Sequence, residues 1–278
     1  MADARAIASA VREAIGTAAT SLRPDVLAAM RAALESEPSA RGRSVLAQLI
    51  RNAEVAETDR VPLCQDTGTV WVRVELGVDE RLGEALQPVI DEAVAEAYRE
   101  NALRMSVVRD ALFDRTNTGD NTPAFIDTVT RPGSGATVHV MLKGGGSDNS
   151  SAIAMLDPAA GIEGVREFVL RTVEAKATGA CPPLIIGVGV GATFDKVAAL
   201  AKRALLLPLD RDTGGEAGAL EVELLRLVNA TGIGPAGLGG RTTALGVKLI
   251  TAPCHIAALP VAVNVGCSAV RTATVEVA

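Results

Sequence analysis

Residues 181–206 read CPPLIIGVGVGATFDKVAALAKRALL. Leu184–Val190 is a short apolar run of the length a buried strand takes, and Asp195–Leu206 reads as a helix. A strand that feeds a helix within so few residues is the unit of an α/β fold. Between them lies Gly187-Val188-Gly189-Val190-Gly191-Ala192, the setting a dinucleotide fingerprint requires. An acidic residue, Asp210, stands about 20 residues further on, as that fingerprint asks. Against it, such a unit usually opens its domain, and only about 70 residues follow here. Glycines also let a strand end pack closely on a helix with no ligand at all. An NAD(P)-binding oxidoreductase subunit and a plain strand–helix junction are thus both readings of the run.

Working outward, the pattern keeps alternating. Toward the C-terminus, Gly215–Val228 reads as helix, Ile233–Thr243 as a Gly-rich loop, and Ala244–Ala252 and Pro260–Val265 as strands. Toward the N-terminus, Ile162–Ala175 reads as helix. Phe125–Thr130 and Ala136–Leu142 alternate like the two strands of one hairpin. Thr116–Pro123 (TNTGDNTP) is dense in turn formers and reads as an ordered loop. Leu82–Leu103 is a long helix, and Thr69–Leu76 a strand fed by the loop Val61–Gly68. The first ~60 residues are helical. Ile7, Val11 and Ile15 form one stripe, Pro24-Asp25 opens a second helix, and Ser44–Ala56 is a third. The expected fold class is α/β, a mixed β-sheet flanked by helices with an N-terminal helical segment. Residues 1–278 are expected to form a single domain, with an N-terminal helical lobe over about residues 1–60.

Composition excludes several function classes. The chain has 278 residues, 48% of them apolar and 22% charged, so a core is easily built. A net charge of −6 gives no basic face for nucleic acid, and 2% aromatics give no base-stacking platform. No apolar run reaches the ~18 residues of a membrane helix, and Asp3 and Glu13 spoil a transit peptide. A soluble, cytoplasmic protein with no nucleic-acid or membrane partner is expected. Two histidines, His139 and His255, are too few for a His-rich zinc site.

Four cysteines, Cys64, Cys181, Cys254 and Cys267, lie far apart and form no C-x-x-C pair. Buried structural thiols are one reading. Their positions are the other: each stands at an edge of regular structure beside Gly, Pro or polar residues, where ligands and nucleophiles sit. Lys143-Gly144-Gly145-Gly146-Ser147 has the wrong order for a Walker loop. Three bare residues at a strand end suit a ligand that touches backbone N–H groups, or equally a turn. His255 sits in a loop after Cys254, whereas His139 alternates along a strand with Thr137 and Met141. Arg104, Arg109 and Arg115 follow the long helix, as a solvated face or as carboxylate-binding groups.

Taken together and in order, PLCQDTG, NTGDNTPA, KGGGS, CPPLIIGVGVGATFDK, GIGPAGLGGRTTALGVK and HIAALPVAVNVGC carry a resemblance that spans about Arg41 to Cys267. The chain resembles the stand-alone α subunit of the class I, iron–sulfur-dependent fumarate hydratases and the related tartrate dehydratases. The resemblance implies a 4Fe–4S cluster on Cys64, Cys181 and Cys267, with one iron left free of protein ligands as a Lewis acid. It implies that Asp66 and His255 hydrogen-bond the substrate hydroxyl and relay its proton. Gln65, Arg104 and the Gly145 amide would bind the C4 dicarboxylate. The implied reaction is reversible hydration of fumarate to malate, a step of the tricarboxylic acid cycle, with L-tartrate dehydration as the alternative. A separate β subunit is implied, which completes the active site with the base for the carbon-bound proton, in an α2β2 or larger assembly. Two departures stand out: Cys254 where the family often has Thr, and Gly266 and Ser268 where it often has Gln and His. They alter the surroundings of the last ligand without removing it.

Overall fold

The computed structural model describes residues 2–278. In chain order the elements begin with helices α1 (Ala4–Thr20), α2 (Pro24–Ser36) and α3 (Ala40–Asp59), strand β1 (Thr69–Gly77) and helix α4 (Leu86–Glu100). Strands β2 (Phe125–Arg131) and β3 (Ala136–Lys143), helix α5 (Gly145–Asn149), strand β4 (Ala152–Leu156) and helix α6 (Gly161–Lys176) follow. Strand β5 (Leu184–Ala192), helices α7 (Phe194–Ala204) and α8 (Gly215–Ala230), and strands β6 (Ala244–Cys254), β7 (Leu259–Gly266) and β8 (Arg271–Val277) complete the chain. The expected mixed α/β architecture is present as two four-stranded sheets flanked by helices, with a helical N-terminal segment. The chain divides into two compact units. One comprises the chain up to Arg23, Asn52–Gly145 and Val270–Ala278; the other comprises Pro24–Arg51 and Gly146–Ala269. No helix among the described residues is long and apolar enough to cross a membrane.

The first unit is built on the sheet β2-β1-β3-β8. β1 alternates strictly, so Val70, Val72, Val74 and Leu76 share one face. That face meets Val138, Val140 and Leu142 of β3 and the apolar stripes of α1 (Ile7, Val11, Ile15) and α4 (Val89, Ile90, Val94). Asp3 caps α1 by accepting from the Ala6 amide at 2.8 Å. On the other face of β1, Arg73 is ion-paired with Glu75 and Asp127. β2 and β3 are not the expected hairpin: β1 lies between them, parallel to β2 and antiparallel to β3. The reason lies in their connection, which folds over the end of β1. Gly77 N–H donates to Gly135 O at 2.8 Å and Val78 N–H to Arg131 O at 3.0 Å. A Cβ on Gly77 would collide with the Gly133 carbonyl and stand 2.7 Å from the Ser134 main chain. The turn-rich Pro132–Gly135 thus straddles a strand rather than joining two neighbours.

The second unit carries the sheet β4-β7-β5-β6, with β5 parallel to β6 and antiparallel to β7. Ile186 and Val188 of β5 face a core of Val165, Phe168 and Val169 from α6 and Leu220, Leu224 and Val228 from α8. Gly187 and Gly189 face the opposite way, under α7. A Cβ on Gly189 would stand 2.5 Å from Val197 O and 2.7 Å from Ala201 N, and one on Gly187 would collide with Ala201 O. The glycine run therefore lies inside the strand, covered by the backbone of α7. It is a packing device and offers no phosphate loop, which removes the ground for a dinucleotide reading.

The Gly-rich segment 233–243 of this unit is organised by Glu37, which is 2% exposed. Its carboxylate accepts from the amides of Ser39 (3.1 Å), Arg241 (2.9 and 3.1 Å) and Thr242 (2.8 Å). Burial alone would push this carboxyl up. The bonds from Arg241, Thr242 and Ser39 outweigh it and hold the group below its ordinary value.

Candidate active site

In the first unit the site grows from the loop between α3 and β1. Leu63 fixes its entry: its N–H donates to Ala19 O at 2.9 Å and its carbonyl accepts from Asn52 Nδ2 at 3.0 Å. Cys64 follows, half-buried, its thiol 3.3 Å from Gln65 Oε1. Gln65 is exposed and Asp66 half-buried. Both Asp66 oxygens are held by main-chain amides: Oδ1 by Gly68 N–H at 3.1 Å, Oδ2 by Gly145 N–H at 2.8 Å.

The next three carbonyls are each held by a side chain from elsewhere in this unit. Arg271 Nη1 donates to Asp66 O. The hydroxyl of Tyr98, on α4, lies 3.0 Å from both Thr67 O and Gly68 O. Asn121, fully buried and in left-handed backbone conformation (φ 62°), donates to Gly68 O at 3.2 Å. Its carbonyl accepts from Ser106 N–H at 2.7 Å. Burial pushes the Tyr98 hydroxyl far above its ordinary value, while the Arg271 charge pulls it down and the Asp66 charge pushes it up.

Two glycines make room for this arrangement. Gly68 has φ 79°, and a Cβ there would stand 2.6 Å from the Lys143 main chain. A Cβ on Gly144 would stand 3.0 Å from Asp66 Oδ2. The bare KGGGS strand end thus accommodates a protein carboxylate, and the Gly145 amide expected to meet substrate is bonded to Asp66. Arg104 comes just after the end of α4, where Ala102 turns left-handed (φ 51°). Its carbonyl accepts from Thr67 Oγ1, so its backbone is tied to the same loop while its side chain stays exposed. The first unit therefore brings Cys64, Gln65, Asp66, Arg104 and Gly145 together.

In the second unit, Cys181 is exposed at the start of the β5 segment, with φ 53°. Its carbonyl accepts from Ser268 N–H at 3.2 Å, which joins the Cys181 and Cys267 segments. Cys267 is half-buried at the end of β7. His255 is exposed in the β6–β7 turn. Its Nδ1 accepts from Ala257 N–H at 3.0 Å, so the neutral ring carries its proton on Nε2. Cys254 is exposed, its thiol 3.2 Å from Ala258 O.

None of the four cysteines is in a disulfide. Among the described residues no group of three or more His, Cys, Asp or Glu converges on a point where one metal ion could bind. A cubane cluster does not need such convergence, because it takes one thiolate per iron and carries its own bridging sulfides. Three cysteines outside any disulfide, at the ends of regular structure, fit that group by their chemistry.

Tyr98, Asn121, Thr67 and Arg271 were not singled out by the sequence. Asn121 lies in the turn-dense TNTGDNTP segment, which was the one available signal. Tyr98, the chain's single tyrosine, reads as part of a helix's apolar face.

A family profile described as Fumarate hydratase (Fumerase) matches residues 8–276. The chain is 39% identical over 274 residues to a Methanocaldococcus jannaschii protein provisionally named L(+)-tartrate dehydratase subunit alpha, covering 96% of each chain. It is 34% identical over 263 residues to the L(+)-tartrate dehydratase subunit alpha of Escherichia coli strain UTI89, covering 93% of this chain and 86% of that one. The strain K12 protein of the same name is 33% identical over the same span.

Proposed function

The chain belongs to the fumarate hydratase (Fumerase) family, and from that premise we propose that it is the α subunit of a two-subunit hydro-lyase interconverting fumarate and malate. The observation that carries the reading is the preparation of Asp66: both carboxylate oxygens are held by amides, beside a free thiol and an exposed arginine tied to the same loop. Cys64, Cys181 and Cys267 would hold a 4Fe–4S cluster, thiolates being its usual ligands. When bound, the cluster supplies an iron without a protein ligand, a Lewis acid for the substrate's hydroxyl and carboxylate.

The residues of this chain divide the remaining work. Arg104 grips a substrate carboxylate through its two-pronged guanidinium, and the Gln65 amide orients the same dianion. An incoming carboxylate competes with Asp66 for the Gly145 N–H, so that binding releases Asp66 Oδ2 to face the hydroxyl. Asp66 Oδ2 and His255 Nε2 hydrogen-bond that hydroxyl and relay its proton: Asp66 Oδ2 accepts from the hydroxyl, and His255 Nε2 gives the proton with which it leaves as water. The carbon-bound proton goes to a base on a separate β subunit, as the subunit names of the relatives suggest. We place the assembly, α2β2 or larger, in the cytoplasm, where free thiols stay reduced. Residues 1–278 would act as one cluster-binding domain within it.

Co-expression with the β subunit and purification without oxygen test the reading. About four iron and four sulfide per αβ pair are expected, with conversion of fumarate followed by its ultraviolet absorbance. Cluster-loaded protein that turns over neither fumarate nor malate would refute it. L(+)-tartrate dehydration is the second reading, favoured by the names of the relatives, and oxaloacetate release from L(+)-tartrate in the same preparation decides between them.

A further inference from the structure

Arg271 opens β8 and is 3% exposed. A guanidinium is seldom withdrawn from water so fully unless its charge and donors are used. Here Nη1 donates to the main-chain carbonyl of Asp66. Nη2 lies 3.3 Å from the point where a Cβ on Gly144 would stand, the same point that is 3.0 Å from Asp66 Oδ2. Nε is buried without a hydrogen-bond partner among the described residues. One planar fork thus reaches the backbone of Asp66 with one arm and runs beside the Gly144 strand end, next to the carboxylate, with the other. Lysine, a single point charge on a flexible stem, cannot do both.

The consequence for the site is geometric. The Asp66 carboxylate accepts from the Gly68 and Gly145 amides, so its direction is tied to the main chain of its own loop and of the Gly144 strand end. Arg271 holds that main chain at the Asp66 carbonyl, two residues after Cys64. We propose that Arg271 is the positioning residue of this site, fixing the main chain at Asp66 so that the Asp66 carboxylate and the Cys64 thiol are held in one arrangement. The catalytic half of this inference rests on the hydro-lyase reading; the structural half does not.

The test uses the full-length chain as Arg271→Met and Arg271→Lys. Iodoacetamide labelling followed by peptide mass spectrometry gives the rate at Cys64 relative to exposed Cys254, an internal reference in the other unit. Loosening the segment raises that ratio by about tenfold in R271M, and by less in R271K, which keeps the charge. If R271M does not fold, R271K and Gly144→Ala decide: G144A pushes a methyl between Asp66 Oδ2 and Arg271 Nη2, and should raise the ratio too. In the αβ enzyme, R271K lowers kcat by about 10- to 100-fold with KM within about twofold, as a displaced reacting group does. An unchanged Cys64 ratio in folded variants overturns the proposal. So does a raised KM with intact kcat, which would make Arg271 a substrate ligand. If the wild-type αβ protein turns over neither dicarboxylate, the hydro-lyase reading fails while the labelling ratio still decides this one.

Discussion

Replacing Glu37 by Gln keeps the shape of a buried side chain and removes its charge. The carboxylate accepts four bonds, with Ser39 and Arg241 amides on Oε1 and Arg241 and Thr242 amides on Oε2. In Gln one of these oxygens becomes an NH2 group that faces N–H donors. One or two bonds are lost, and buried donors are left unmatched. Hydrogen bonds to a charged group contribute about 1.5–3 kcal/mol each, and bonds that share one acceptor are not additive. A loss of about 2–4 kcal/mol at neutral pH follows.

With a urea slope of about 2 kcal/mol/M, the midpoint of the second unit falls by about 1–2 M. Amide exchange over residues 237–243 should accelerate. Trp71, the only tryptophan, lies in the first unit and reports that unit separately. The pH dependence gives a second reading. The folded carboxyl lies below its ordinary value, so its contribution is complete above the unfolded pKa of about 4.3 and is lost as pH falls through the folded one. Wild type and E37Q should therefore differ by a constant amount above about pH 6 and converge below about pH 4. Equal midpoints at pH 7 with unchanged exchange at Arg241 and Thr242 would refute the account of this loop.

Other perturbations separate packing from chemistry. Gly189→Ala drives a methyl to 2.5 Å from Val197 O and should cost about 2–4 kcal/mol in thermal unfolding of the second unit, since backbone must move. Tyr98→Phe removes the hydroxyl that serves Thr67 O and Gly68 O; a loss of about 1–3 kcal/mol and faster amide exchange at residues 64–69 are expected, and unaltered exchange would argue against the clamp. Asp66→Asn in the αβ enzyme should lower kcat by about 10²- to 10⁴-fold with a melting temperature near wild type; kcat within a factor of a few would exclude it as the proton-handling group. Cys64→Ser should abolish the brown colour and the iron of anaerobically purified protein, and retained iron would take Cys64 out of the ligand set.

Periodicity made most of the fold legible. The stripe Ile7, Val11, Ile15 is the buried face of α1, and the apolar run from Leu184 is β5. Two strands escaped. Ala152–Leu156 is an edge strand whose five residues are all apolar, so its alternation of half-buried and exposed positions leaves no mark in the sequence, and Arg271–Val277 begins with a buried charge that reads as surface. The misread hairpin has the same kind of cause. Pro132–Gly135 has turn chemistry, but turn chemistry does not say whether a third strand passes between the two it joins. In the candidate site, the resemblance pointed to Cys64, Gln65, Asp66, Arg104 and Gly145, which the first unit gathers. What holds them was not legible. Tyr98, Asn121 and Arg271 act on main-chain carbonyls, and a carbonyl leaves no mark in a sequence.

The contact between Arg271 and Asp66 joins residues 205 positions apart. On the ribosome the Asp66 loop emerges long before its clamp. At about 5–20 residues per second the interval is on the order of 10–40 s. During that time β8 is missing from the edge of the first sheet, and the main chain at Asp66 lacks its guanidinium. A nascent chain therefore carries Cys64 in a loop already held by Asn52, Tyr98 and Asn121 but still without the Arg271 bond at the Asp66 carbonyl, until β8 docks. The loop gains its holds in the order the chain supplies them, and the one nearest Cys64 on its C-terminal side comes last.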